Sequence, residues 1–378
     1  MKATIAKADL GKALAEIVRV VERRNTIPIL GNVAIETEDD ALVMRGTDLD
    51  MVLTARIPAQ IEAPGGATVP AATLNDIVRR LADNAQIALT AIDDGVRLEL
   101  RSGRAKFMLQ TLPLSDYPDI DVGQCTHAFT VTAKAFSSLL ARTQFAISNE
   151  ETRYYLNGSF LHVAETSEGT RALTAVSTTG HMLARVRMPA PDGADGMPGI
   201  IVPRKTVERI IGLCESLGKD GDPTIAIELS AAKLRARIGT STFVSKTIDG
   251  TFPDYSRVIP TANEKVALFD RVSLGRAVER VATLRGDKGT AAVAFDFDVG
   301  KARLTVNNPD AGMATDEIDA DYDADPLRIG MNANYIGQIL GAIGGEMIHM
   351  RMNDPGSPIV LDARGATDML AVLMPMRV

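Results

Sequence analysis

The side chains that could serve as nucleophile, base or metal ligand are few and scattered. Four histidines, His127, His162, His181 and His349, stand outside any HExxH, GxSxG or P-loop context, the spacings that set a base or a phosphate cradle beside a reacting atom. The two cysteines, Cys125 and Cys214, have no nearby partner and no metal-like spacing, so they read as reduced structural thiols. The nearest approach to a metal motif is the run DADYDAD, in which Asp319, Asp321, Asp323 and Asp325 imitate the opening of a calcium loop. Ala324 stands where that loop needs its tight-turn glycine, and Gly330 where it needs a bidentate carboxylate. An acidic strand edge or solvated loop is the better reading. No catalytic residue, metal or other cofactor is expected.

Binding chemistry is better represented. The formal charge is -7, which argues against a phosphate-rich partner only if the charges are evenly spread. They are not. Apolar periodicity predicts helices over 7–24, 73–82, 133–147, 203–217, 272–285 and 333–344, and in these Lys and Arg exceed Asp and Glu by about eight. Strands and loops therefore carry an excess of about fifteen negative charges. Helix 333–344 has no charge at all, but the other five lean basic. If the helices line one side of the molecule, that side is positive while the rest is acidic. The second grouping is the C-terminal run LAVLMPMRV, Leu370 to Val378, which is unusually apolar for a chain end. It reads as a last core strand or as part of a docking site for another protein.

The elements that must position these groups recur in three copies. In each, an amphipathic helix precedes strands, and a second helix precedes three more. The first helices are KADLGKALAEIVRVV, TAKAFSSLLARTQFAI and RVSLGRAVERVATL; the second are VPAATLNDIVRRLA, VPRKTVERIIGLCESLG and MNANYIGQILGAIGG. Alternation in VRLEL, VAFDF and ARLTV is that of half-buried antiparallel strands. With turn-rich joints at DYPDIDVGQCTH and RVIPTANEK, three tandem domains follow, 1–121, 127–257 and 262–378, each α+β with two helices against antiparallel sheet. At 46% hydrophobic and 24% charged, all three can bury a core. No apolar run is long enough to cross a bilayer and the start lacks a signal-peptide pattern, so the chain reads as cytoplasmic, with no membrane partner.

Four motifs make the pattern specific. RRNTIPILGNVAIE (Arg23 to Glu36), RYYLNG (Arg153 to Gly158), FPDYSRVIP (Phe252 to Pro260) and the terminal MPMR occur in the order found in the bacterial DNA polymerase III beta subunits. The chain resembles that family, the sliding clamps, over nearly its whole length. The resemblance implies a DNA clamp fold: a head-to-tail homodimer whose six domains close into a ring, helices lining the hole and sheets forming the wall. It implies a non-catalytic processivity factor that encircles duplex DNA without sequence readout. It also implies a clamp loader, and polymerases and repair proteins that dock through short linear peptides.

Carried over by position, the resemblance assigns Arg24, Arg204 and Lys205 to the DNA backbone, and helical geometry adds Arg80 and Arg209. Ala72 stands where the family often has a basic residue. The peptide groove takes Arg153, Tyr155, Leu156, Thr178, Gly180, His181, Met182, Leu183, Pro253, Arg257 and Val258 from the second domain. From the third it takes Asn332, Tyr335, Val372, Leu373, Met374, Pro375, Met376 and Arg377. Thr179 and Met182 replace the acid and arginine common in the family, and Gly289 replaces a bulkier residue near the rim. The dimer seam is expected to join Phe107 and Leu109 of one copy to Thr283 and Leu284 of the other. A protein-binding repeat scaffold would also explain the repeats and the apolar tail. It leaves the basic helices unexplained.

Overall fold

The computed structural model describes residues 1–22, 26–119, 123–166, 168–218, 221–284 and 292–378. Among them are six α-helices: α1 (Lys7–Ile17), α2 (Ala71–Arg80), α3 (Ala133–Gln144), α4 (Arg204–Ser216), α5 (Arg271–Val281) and α6 (Ala333–Ile343). Every expected helix is present, but α1 stops a full turn and more before position 24. The segment from Ile17 to Val21 is rich in β-branched residues, which lose rotamer freedom in a helix. Here the amides of Arg19 and Val20 bond three residues back, to Glu16 at 3.2 Å and Ile17 at 2.9 Å, so the last turn tightens and ends. As observed, the six helices hold twelve basic and six acidic residues, and α1 is neutral. The basic bias is therefore smaller than expected and lies on α2 to α5.

Three sequence repeats build two compact units. The first comprises residues 1–137, 191–197 and 208–247; the second comprises 138–190, 198–207 and 248–378. The first unit holds a five-stranded sheet, in the order Gln60–Ala63, Lys2–Ala6, Gln86–Ile92, Arg97–Ser102, Ala105–Gln110. Its other sheet has eight strands, and the strand Ser241–Lys246 pairs there with Met51–Pro58, placing Phe243 opposite Leu53. The second unit also has an eight-stranded sheet, in which Met182–Pro189 pairs with Met369–Leu373 and Leu183 lies opposite Val372. Its four-stranded sheet runs Gly312–Asp319, Lys301–Asn308, Ala292–Asp298, Leu327–Asn332. All of these ladders are antiparallel. A strand that would be an exposed edge within one repeat is thus paired by a strand of the next, which removes a liability and makes the compact units straddle the repeat boundaries.

Helices cover one face of each sheet they touch. In the strand Met347–Met352 the alternate residues Ile348, Met350 and Met352 are buried, while Met347, His349 and Arg351 are half-buried on the other face. Helix α6 packs on the strands Ile359–Ala363 and Met369–Leu373 beside it. Its first turn is capped by Asn332, whose Oδ1 accepts from the amides of Asn334 at 2.9 Å and Tyr335 at 3.4 Å. Asp270 caps α5 in the same way, accepting from Ser273 N at 2.8 Å. None of the helices among the described residues is long and apolar enough to cross a membrane.

Candidate functional site

A cavity of about 250 Å³ opens on the second unit, on the sheet face opposite α6. Its floor comes from two paired strands: Leu183 and Val372 face each other across the ladder, so both side chains point the same way, and both are buried. They belong to a core cluster with Leu156, Val176, Ile201 and Phe252. One rim is the turn Thr178–Thr179–Gly180–His181–Met182. Thr178 Oγ1 donates to Met182 O at 2.8 Å and accepts from Gly180 N at 3.0 Å, and Thr179 Oγ1 accepts from the amides of His181 at 3.2 Å and Met182 at 3.3 Å. Gly180 is left-handed at φ 88°, and a Cβ on it would lie 2.7 Å from Arg153 Nη1. Glycine takes this backbone without strain and leaves room for the guanidinium.

Arg153 is held over the turn by Glu150. Its guanidinium donates to both Glu150 oxygens, at 2.8 and 2.6 Å, and that bond holds the Glu150 carboxyl below its usual range. The opposite rim is the 3-10 turn Tyr255–Val258, capped by Asp254, whose Oδ1 accepts from Ser256 N at 3.2 Å. The third side is the C-terminal tail: Met374 N donates to His181 O at 2.9 Å, and the Met374 side chain is exposed at the mouth.

The cavity is lined by Arg153, Tyr155, Leu156, Thr178, Gly180, His181, Met182, Leu183, Pro253, Val258, Val372 and Met374, twelve of the residues expected there. It also takes in Asp254 and Tyr255, which the sequence reading passed over although both lie inside the quoted FPDYSRVIP motif. The Asp-x-Ser spacing of a capped turn was the available signal. Seven expected residues do not line it. Arg257 is exposed on the 3-10 turn. Asn332 is buried as the α6 cap, Tyr335 is half-buried in the first turn of α6, and Leu373 is wholly buried. Pro375, Met376 and Arg377 lie further along the tail, where Met376 N donates to Gly330 O at 2.8 Å and so pairs with the edge of the four-stranded sheet. The apolar chain end is therefore a core strand through Leu373, a cavity wall at Met374 and a short sheet extension at Met376.

The expected phosphate contacts are distributed differently. Lys205 is exposed in the first turn of α4 and Arg209 is half-buried on the same helix. Arg80 is exposed at the end of α2, where Nη1 donates to Asp76 O at 2.7 Å. Arg204 is half-buried, with Nη2 donating to Ile147 O and, at 3.3 Å, to Ser148 O. Much of its donor set is committed to backbone just beyond α3. Arg24 lies outside the described residues, as does Gly289.

Among the seam candidates, Phe107 and Leu109 are half-buried on Ala105–Gln110, the terminal strand of the five-stranded sheet. Thr283 is exposed in the 3-10 turn Ala282–Leu284, its hydroxyl donating to Arg280 O at 2.7 Å, and Leu284 O accepts from Asn308 Nδ2 at 2.9 Å. The acidic run DADYDAD starts at Asp319, the last residue of the edge strand Gly312–Asp319, and Asp321 exchanges two backbone bonds of 3.0 Å with Leu268. Burial pushes the Cys214 thiol up to about 12, which keeps it protonated and unreactive.

Family models for the N-terminal, central and C-terminal domains of the DNA polymerase III beta subunit match residues 1–121, 130–254 and 256–377 in turn. The chain belongs to the DNA polymerase III beta subunit family. It is 43% identical to the beta sliding clamp of Caulobacter vibrioides (strain NA1000 / CB15N), and 34% identical to that of Escherichia coli (strain K12), in each case over 100% of both chains. A solved sliding clamp of Bartonella birtlesii, bound to griselimycin, superposes at a TM-score of 0.95 with 41% identity, covering 100% of both chains. The polymerase III beta structure from Caulobacter crescentus gives 0.94 at 43% identity, again over 100% of both. The beta-subunit fold thus extends over the whole chain.

Proposed function

We propose that this beta subunit is the sliding clamp of its replicative polymerase. Two copies associate head to tail, and six repeats, assigned to 1–121, 127–257 and 262–378 of each chain, close a ring around duplex DNA in the cytoplasm. The ring performs no chemistry. Because it holds DNA topologically, its contacts can be weak and sequence-blind, and phosphate attraction from basic helices suits sliding. Arg80, Lys205 and Arg209 supply that attraction, with Arg24 and the uncommitted part of Arg204. A loader must open the ring, and Phe107, Leu109, Thr283 and Leu284 form the seam it acts on. Terminal strands such as Ala105–Gln110 leave backbone groups unpaired until a second copy meets them.

The observation that carries this reading is the apolar cavity with its tail wall, found in a chain whose three domains each match the family. Its size suits one or two apolar side chains of a short peptide, each worth roughly 1.5 to 3 kcal/mol when fully buried. Polymerases and repair proteins are tethered there. Met182 and Met374 give the lining adaptable, polarizable surfaces, which fits partners that share little sequence.

The deciding experiment loads the protein onto circular and linear duplex and raises the salt. Retention on circles that survives salt, with run-off from linear ends, is the expected result; equal loss from both removes the ring. Sedimentation at micromolar concentration should show a dimer, and Phe107→Asp with Leu109→Asp should yield a soluble monomer.

A further inference from the structure

The strand Met182–Pro189 changes character along its outer face. Alternate residues Leu183, Arg185 and Arg187 share that face, and Leu183 is part of the cavity floor. Arg185 sits between Val176 and Leu370 on the neighbouring strands, and Arg187 lies beside Thr174, so neither has an acidic cross-strand neighbour. Both guanidinium groups are half-buried, and both Nε atoms are shielded from solvent without a hydrogen-bond partner. Among the described residues no carboxylate forms an ion pair with either. The half-buried Arg45, Arg142, Arg235 and Arg351 each hold one, so the missing carboxylate, and not the unpartnered Nε that Arg45 and Arg235 share, sets the pair apart.

Nearby acids are already engaged. Asp368 gives Arg187 only its backbone carbonyl, at 2.7 Å, because its carboxylate is held by Arg142. Asp362, one strand beyond Leu370, is shared by His349 at 2.8 Å and Arg351 at 2.9 Å. Asp254 caps Ser256. The remaining neighbours are aromatic: Tyr255, which also lines the cavity, bonds His162 Nε2 at 3.1 Å and takes a side-chain hydrogen bond from Arg187, a neutral partner that leaves the charge unbalanced, and the His162 ring stacks on Phe160 at 4.5 Å. Burial brings His162 down to about 4, so it is neutral at pH 7 and the positive charge comes from the arginines alone. Burial and the neighbouring Arg187 push Arg185 down to about 10, still charged. Two adjacent, half-buried cations without a counter-ion form a site that favours an anion.

We propose that Arg185 and Arg187 form a carboxylate shelf continuous with the cavity, which binds an acidic side chain two to four residues from the apolar anchor of a docked peptide. The proposal rests on the peptide-groove reading. At a strand rise of about 3.3 Å per residue, the two arginines stand roughly 7 and 13 Å along from Leu183, a span that two to four extended residues cover. Leu183 and Tyr255 make the surface continuous, and the planar guanidinium fork matches a carboxylate.

The test uses fluorescein-labelled peptides with one apolar core, carrying Glu or Gln at the second to fourth positions beyond the anchor. The Glu peptides should bind about tenfold tighter than the Gln peptides at low salt, and the advantage should shrink as salt is added. Arg185→Gln with Arg187→Gln should erase the advantage while leaving the Gln peptides' affinity and the melting temperature unchanged. Arg185→Lys with Arg187→Lys, which keeps charge but loses the fork, should retain part of it. Equal affinity of Glu and Gln peptides for the parent overturns the shelf, as does an advantage that survives the double Gln variant. Displacement of the Glu peptides by a short duplex at concentrations that leave the Gln peptides bound assigns the arginines to phosphate, and also overturns it. If no peptide binds the parent, the groove reading itself has failed, an outcome distinct from binding without acid preference.

Discussion

Two turns in this molecule are built alike and do different things. In the first unit, Thr47 Oγ1 donates to Met51 O at 2.8 Å and accepts from Leu49 N at 3.0 Å. In the second, Thr178 Oγ1 makes the same two bonds, to Met182 O at 2.8 Å and from Gly180 N at 3.0 Å. Leu49 and Gly180 are both left-handed, at φ 77° and 88°. Each turn then takes a strand end from the next repeat: Lys246 N donates to Asp50 O at 2.9 Å, and Met374 N to His181 O at 2.9 Å. The backbone is one design used twice. What differs is the side chains, since Asp50 and Lys246 close the first junction with an exposed ion pair, whereas His181 and Met374 border an apolar cavity at the second. The same backbone junction thus carries an exposed ion pair in one copy and borders an apolar cavity in the other.

The harshest way to break the comparison is to remove the strand end that only the second junction uses as a wall. Deleting Met374 to Val378 should lower affinity for a Q-x-x-L-F type peptide by at least about a hundredfold, because groove affinity concentrates in a few buried anchors. Two backbone bonds go with the tail, to His181 and Gly330, so a modest drop in melting temperature should accompany the loss. Fluorescence titration and a thermal melt on the same samples test both. Unchanged affinity in a folded truncation would make the tail merely structural.

Next in size is an exchange of the two left-handed residues. Gly180→Leu should cost about 2 to 3 kcal/mol, from left-handed strain plus the collision with the anchored Arg153, and it should also block the rim. Leu49→Gly should be neutral within about 0.5 kcal/mol, since relief of the same strain is offset by the flexibility of glycine in the unfolded chain. Leu49 is 38% exposed, so little burial is lost. Chemical denaturation of the two variants gives both numbers, and similar costs would show that the turns are not equivalent.

This equivalence explains what was legible in the sequence. The helices were readable because Leu10, Leu14 and Ile17, or Ile336, Ile339 and Leu340, repeat at helical spacing and are all buried. Periodicity extends α1 past its observed end because Val18, Val20 and Val21 continue that spacing, and periodicity does not register β-branched strain. The cavity residues came from motif resemblance, which carries position but not packing. Leu373 and Val372 are adjacent in one strand, so alternation alone puts one on the floor and the other behind it. The two compact units are hidden, because nothing local in the edges STFVSK or VLMPM says which distant strand will pair with them; here Phe243 meets Leu53 and Leu183 meets Val372.

A smaller effect separates the junctions by acid. Tyr117, beside the first turn, donates to Arg45 O at 2.9 Å, and burial pushes it up to about 12, so it stays neutral through the acid range. Tyr255, beside the second, bonds His162, which burial brings down to about 4. Below about pH 6.5 the unfolded imidazole takes up a proton that the folded one refuses until about pH 4, so the unfolded state binds more protons in that window. Stability is retained at pH 7 and lost as the pH falls from 6.5 to 4, by about 1 to 2 kcal/mol after allowance for partial exposure. Melts of the parent and His162→Gln between pH 7 and pH 4.5 should diverge by that amount, the variant falling less. Parallel curves would mean that the histidine is hydrated in the folded protein.

The smallest effect lies in the ion pair that closes the first junction. Asp50 and Lys246 are 3.1 Å apart with side chains 76% and 52% exposed, a geometry in which solvent and side-chain entropy cancel most of the attraction. A double-mutant cycle with Asp50→Ala and Lys246→Ala should give a coupling of about 0.2 to 0.5 kcal/mol that fades with salt. Exchanging the pair for the residues of the second junction, Asp50→His with Lys246→Met, should therefore leave the fold intact. It should also fail to create a peptide site. In the first unit Tyr117 packs into a closed core with Ile29, Leu30 and Ala34, with half-buried Leu114 against it, whereas in the second the 3-10 turn Tyr255–Val258 borders an open cavity. Peptide binding at the exchanged junction, measured in a chain whose own cavity is disabled by the tail deletion, would show that two side chains suffice and that the rim is dispensable.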